Sequence, residues 1–148
     1  MRLFTYSTKG TTTTVSDNTV IPESHKDLLD STALADVATI GPDGAPQVNP
    51  VWFGWDGALL TFSQTKARQK YKNLHKDNRI ALSIVDPVNP YRYIEIRGKV
   101  VEFIDDPDKA FIDSMAKKYL GQDKYPWSQP GEERTVVVVE PQRSLTMG

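Results

Sequence analysis

The sequence predicts a mainly β chain with a few helices, folded as a small antiparallel barrel. Short apolar runs with two-residue alternation recur between turn signals along most of the chain. Only three stretches carry helical start and stop signals. The last apolar run, Thr135 to Val139, is a continuous β-branched stretch that suits a buried closing strand. Closing such strands into a barrel removes exposed sheet edges.

The elements follow in order. Residues Met1 to Val20 are rich in Thr and Ser, with Thr11 to Thr14 as a low-complexity tract. They read as a flexible N-terminal arm, leaving residues 21–148 as a single domain. A helix begins near Pro22-Glu23-Ser24, where Pro suits a first turn, and ends near Ser31. Ala33 to Ile40 alternates as a first strand, Gly41-Pro42-Asp43-Gly44 turns the chain, and a second strand runs from Ala45 to Trp55. Asp56-Gly57 is a two-residue hairpin signal, because a primed turn needs positive φ. The third strand is Ala58 to Ser63, followed by a cationic helix at Lys66 to Lys76.

Arg79 to Val85 reads as the fourth strand, and Asp86-Pro87-Val88-Asn89-Pro90 as a loop that proline keeps out of any ladder. Tyr91 to Ile104 is a long strand. It carries Tyr91, Tyr93, Glu95 and Arg97 on one face and Ile94, Ile96 and Val100 on the other. Asp106-Pro107 introduces a helix through Leu120, stopped by Gly121. Tyr125-Pro126-Trp127 then lies in a loop.

Bulk composition narrows the function classes. With 148 residues the chain fits one domain, and a domain of that size buries roughly two thirds of its unfolded surface. The formal net charge of −1 argues against wholesale binding to nucleic acid or to an anionic membrane. The absence of cysteine excludes disulfides, thiolate nucleophiles and cysteine-ligated metal centres. No apolar run approaches the ~20 residues needed to span a bilayer, and the cytoplasm is the expected location. His25 and His75 stand apart from any metal-ligand or Ser-His-Asp pattern, so neither a metal site nor a catalytic side chain is expected.

Charge is nevertheless concentrated in one place. Between Lys66 and Arg79 there are six Lys/Arg and one acid, Asp77, just after the hydroxyls of Ser63 and Thr65. Hydroxyls, free backbone N–H groups and cations at a helix start form a cradle for phosphate. The same run also reads as a solvated face. Helical spacing sets a condition: Arg68 and Lys70 stand about 200° apart around an axis and reach one anion only near its end.

Four segments together carry a family resemblance. They are Val37 to Trp52, Arg68 to Leu74, Asp86 to Tyr93, and Lys118-Tyr119-Leu120-Gly121 with Tyr125-Pro126-Trp127 and Pro130-Gly131-Glu132. Over roughly Ile21 to the C-terminus the chain resembles the pyridoxamine 5′-phosphate oxidase-like split β-barrel superfamily. Within it, the chain is similar to the branch that uses coenzyme F420, a deazaflavin. The resemblance implies a homodimer with two flavin or deazaflavin sites between subunits. It implies that Arg68 and Lys70 hold the cofactor phosphate, with Lys72 as a further basic residue. Asn49, Pro50, Val51, Trp52, Thr61 and Ser63 would form the groove wall. Asn89, Tyr91, Arg92 and Trp127 would approach the substrate or close the site from the partner subunit.

The chemistry so implied is hydride transfer between coenzyme F420 and a small conjugated substrate, with FMN as the alternative cofactor. A flavin-, deazaflavin- or haem-binding protein without turnover is a second alternative. Trp52 and Trp55 suit a ring-binding wall, and equally a core or an interface. Tyr91, Arg92 and Tyr93 suit an anionic substrate or tail, and equally a half-exposed sheet face. Trp127 reads as a lid or as a plug over the barrel mouth.

Overall fold

The computed structural model describes residues 20–148; the Thr-rich arm, up to residue 19, lies outside the described residues. A 3-10 turn, Glu23–His25, leads into α1 (Lys26–Leu29). Strands β1 (Ala35–Ile40), β2 (Pro46–Val51), β3 (Gly54–Trp55) and β4 (Leu60–Thr65) follow. Then come α2 (Gln69–Lys76), β5 (Arg79–Val85), β6 (Tyr93–Asp105), α3 (Ala110–Leu120) and β7 (Arg134–Met147). The strands join in the order β2-β1-β5-β6-β7-β4-β3, and every pairing is antiparallel.

Alternation along the strands turns one face inward. Ala35 and Val37 on β1, Leu82 and Ile84 on β5, and Ile94 and Ile96 on β6 are buried together with Phe53, Leu60 and Phe62. Fully burying such a side chain contributes about 1.5–3 kcal/mol. An exposed pair such as Lys117–Asp123 contributes at most about 1 kcal/mol, so the apolar face holds the sheet together. The β-branched run Thr135 to Val139 is fully buried because β7 lies between β6 and β4.

Several boundaries differ from the sequence expectation, each for a physical reason. The second strand is interrupted at Trp52 and Phe53: β2 pairs with β1, but Gly54 and Trp55 pair with Thr61 and Leu60 of β4. The apolar run Val51-Trp52-Phe53 continues through the interruption, so side-chain pattern alone reads it as one strand. The Asp56-Gly57 connection extends over four residues. The Asp56 carboxylate accepts from the backbone N–H groups of both Ala58 (2.8 Å) and Leu59 (2.7 Å), delaying the next strand until Leu60.

The cationic helix begins at Gln69 rather than Lys66, because Arg68 is extended (φ −77°, ψ 147°) and breaks the helical run; the Lys66 backbone N–H donates to the Glu133 carbonyl at 3.0 Å. The long strand starts at Tyr93; Tyr91 sits in the preceding turn and is exposed. The β6–β7 ladder shifts register between Arg97 and Gly98 and again between Val100 and Glu102. Such irregularities bend a strand and increase its twist. No helix among the described residues is long and apolar enough to cross a membrane.

Candidate functional site

A groove of about 560 Å³ opens between the β2 edge, the end of β4, the start of α2 and α3. Its wall includes Asn49, Pro50, Val51 and Trp52 from the end of β2 and the residues after it. Ser63, Arg68 and Lys70 line the opposite side, and Trp127 stands at the mouth. The other proposed residues lie elsewhere. Thr61 is buried against Gly54, where a Cβ would stand 2.9 Å from its hydroxyl. Lys72 is exposed on the outer face of α2, away from the groove. Asn89, Tyr91 and Arg92 belong to the β5–β6 turn and do not line it.

Arg68 and Lys70 meet the spacing condition through a change of backbone conformation. Arg68 is extended (φ −77°, ψ 147°) and Lys70 lies in the first turn of α2, so both side chains line the groove. Three cations line it, Arg68, Lys70 and Arg134, and no carboxylate does. Arg134 is already paired with Glu132 at 2.9 Å; it also donates to the Ser63 hydroxyl and lies over the Tyr125 ring.

Lys70 is buried, with its Nζ donating to Gln64 Oε1 at 3.2 Å. Loss of hydration, reinforced by the nearby Arg68 charge, pulls its pKa down to about 8. A lysine held this way gains from a bound anion more than a solvated one does, since water no longer competes for it. The arrangement is a donor set prepared for a negatively charged group.

An amide chain runs from the cradle to the β2 wall. Gln69 Nε2 donates to Asn73 Oδ1 (2.8 Å), Asn73 Nδ2 to Thr39 and to Gln47 Oε1, and Gln47 Nε2 to Asn49 Oδ1. The groove also has an aromatic and apolar part, with Arg134 lying over one of its rings. Trp52 stacks on Tyr119 at 5.2 Å and 8°, meets Tyr125 edge-on at 5.9 Å, and packs against Trp127 at 6.1 Å. Ile112 and Met115 of α3 add apolar surface. The groove thus offers donors for an anion and surface for a flat apolar ring.

A family model described as pyridoxamine 5′-phosphate oxidase matches residues 21–148, which span this sheet and every residue of the groove. The chain belongs to the pyridoxamine 5′-phosphate oxidase family. Its antiparallel sheet with three helices is the split barrel of that family. Among solved structures, it is similar to an F420 reductase, with 39% identity and a TM-score of 0.77. That match covers 84% of this chain and 98% of the reductase.

A conserved hypothetical protein from Mycobacterium tuberculosis shares the fold at 24% identity and a TM-score of 0.67, covering 86% of this chain and 85% of that one. The HupZ protein of Group A Streptococcus shares it at 21% identity and a TM-score of 0.61, covering 86% and 94%. No curated protein matches the chain.

Sequence reading gave no role in this family member to Gln64, Tyr119, Tyr125 or Arg134. Tyr119 and Tyr125 stand in the segment that carried the family likeness, which was the available signal. Gln64 and Arg134 enter only because β4 and β7 pair in register, with Ser63 opposite Val136 and Thr65 opposite Arg134. The histidines stand outside the groove. His25 is buried, its Nε2 3.0 Å from the Met147 carbonyl, and His75 stacks on Phe103.

Proposed function

We propose that the chain is a coenzyme F420-dependent oxidoreductase acting on a small conjugated substrate, with Arg68 and Lys70 holding the cofactor phosphate. The observation that carries this reading is the acid-free groove, in which a buried lysine and Arg68 face an aromatic wall across about 560 Å³. Among the described residues Arg68 has no carboxylate in ion-pair range. The 39% identity to an F420 reductase favours the deazaflavin over FMN.

The residues present fit such a group: donors without acids for a phosphate, and Trp52, Ile112 and Met115 for a ring. When bound, the cofactor supplies the hydride. The side chains of this protein bind and orient. Arg68 and Lys70 anchor the phosphate, Asn49 to Trp52 and Ser63 hold the ring edge, and Trp127 limits water at the mouth. Solvent supplies the proton to the acceptor in this reading, and no carboxylate lines the groove.

A homodimer completes the site in this reading, with the second subunit bringing Asn89 and Tyr91 to the opening. Arg92 stays in its own chain, held by Asp27 and Asp86.

Titration of cofactor-free protein with F420 and with FMN, followed by fluorescence, tests the proposal. F420 should bind with a Kd of about 1 μM or tighter, FMN at least about tenfold more weakly, and the Arg68→Ala/Lys70→Ala double variant should lose both. Preference for FMN moves the protein to the flavin side of the family. Binding of neither overturns the phosphate cradle.

A further inference from the structure

The chain leaves one sheet partner and joins another at Trp52 and Phe53. Phe53 is fully buried at this crossing. Its backbone N–H and C=O therefore need partners that no neighbouring strand supplies, and an unpaired buried peptide group is costly.

Both partners come from the last turn of α3. The Phe53 N–H donates to the Tyr119 hydroxyl at 3.2 Å, and the Phe53 carbonyl accepts from Lys118 Nζ at 2.7 Å. The Tyr119 hydroxyl donates onward to the Ala33 carbonyl at 2.7 Å, tying the crossing to the residues before β1. The Lys118 ammonium also lies 4.6 Å from the centre of the Phe53 ring. Neither Tyr119 nor Lys118 lines the groove, yet the Tyr119 ring lies flat against Trp52, which does.

We infer that Tyr119, assisted by Lys118, is a positioning residue that sets the plane and depth of Trp52 in the groove. The hydroxyl fixes the backbone beside Trp52 and the ring fixes its indole, so one side chain removes both freedoms. After Gly121, which has φ +70°, the chain turns back and brings Tyr125 and Trp127 against the same indole. The Asp113 carboxylate of α3 accepts from the Tyr125 backbone N–H at 2.8 Å, anchoring that return. Trp52 is therefore held by α3 and the loop that leaves it, rather than by the strand that carries it.

This inference rests on the proposed cofactor reading for its effect on binding, so its test has two readouts. The first is the Kd for F420 in Tyr119→Phe and Tyr119→Leu. The Phe variant keeps the ring and loses both hydroxyl bonds; the Leu variant loses everything. Kd should rise about threefold in the first and about tenfold in the second, as expected when a binding wall is misplaced without being removed.

The second readout needs no cofactor. In a Trp55→Phe/Trp127→Phe background, Trp52 is the sole tryptophan reporter. Its collisional quenching by acrylamide should rise in the order Tyr, Phe, Leu. Melting temperatures are recorded alongside, and if the Leu variant fails to fold, the Phe variant carries the test.

A lowered melting temperature with Kd and quenching unchanged overturns the inference and leaves Tyr119 as a packing residue only. If the parent protein binds neither F420 nor FMN, the cofactor reading fails on its own. The positioning role then stands or falls on the order of quenching.

Discussion

Lys70 places its ammonium in the groove wall with a single amide oxygen for company, and burial there pulls its pKa down to about 8. The sign of the consequence follows from linkage. Between about pH 8 and the ordinary lysine range near 10.4, the unfolded chain holds a proton that the folded protein has released, so stability rises with pH across that window. Below it, the cost of the buried charge is present in full. Lys70→Met should therefore stabilise the cofactor-free protein at pH 7 by an amount on the order of 1–3 kcal/mol. That gain should shrink at about pH 9.5, as urea denaturation at the two pH values would show. A phosphate bound beside Lys70 restores its proton. Calorimetric titration near pH 8 should record proton uptake on cofactor binding, and affinity should fall as pH rises further. The cations at 68 and 70 were legible in the sequence; the burial of one of them was not. It depends on Gln64, whose position is set by pairing between β4 and β7.

Among the elements, the β6–β7 ladder is the longest and carries its register shifts at two defined points. Gly98 lies where the register shifts, and a Cβ there would stand 2.2 Å from the Glu140 carbonyl oxygen. Backbone, not a movable side chain, occupies that space. Gly98→Ala should therefore destabilise the protein by at least about 2 kcal/mol, seen as a lower urea midpoint at unchanged slope. A substitution tolerated within about 0.5 kcal/mol would show that the two strands can separate there. The strands themselves were readable from two-residue alternation and turn residues, because those signals are local. The interruption at Trp52 and Phe53 was not, since nothing near it in sequence announces a change of partner. The start of α2 is not legible either: Arg68 is extended, after a segment tied by the Lys66 N–H to Glu133, sixty-seven positions away in the chain.

Across the whole molecule, Arg92 joins segments far apart in sequence. It pairs with Asp27 in α1 and with Asp86 just after β5, and also donates to the Ser24 carbonyl. Its hydrogen bond lowers the pKa of Asp27, whereas Asp86 is lowered first by the Val88 and Asn89 N–H groups and then by Arg92. Carboxylates lowered in this way contribute stability above their ordinary range and lose it as pH falls through their folded values. Arg92→Met should lower the melting temperature at pH 7, and the gap to the parent should narrow below about pH 4, as scanning calorimetry would show. An equal gap at both pH values would mean that Arg92 acts through packing alone. In the sequence an arginine between two tyrosines suits an anion or a half-exposed sheet face equally; only the folded chain brings Asp27 beside it. The sheet order holds one more consequence. It begins at β2 and ends at β3, strands that are consecutive in the chain and separated by Trp52 and Phe53 alone. The ring is therefore sealed by covalent bonds, where a barrel ordinarily seals itself with a ladder. A circular permutant opened between Trp52 and Phe53 would keep all six strand pairings, and its two sheet edges would then be joined at the seam only through the contacts of Trp52 and Phe53 with α3. In such a permutant the groove wall would rest on those contacts alone, because the seam of the ring is also the wall of the groove.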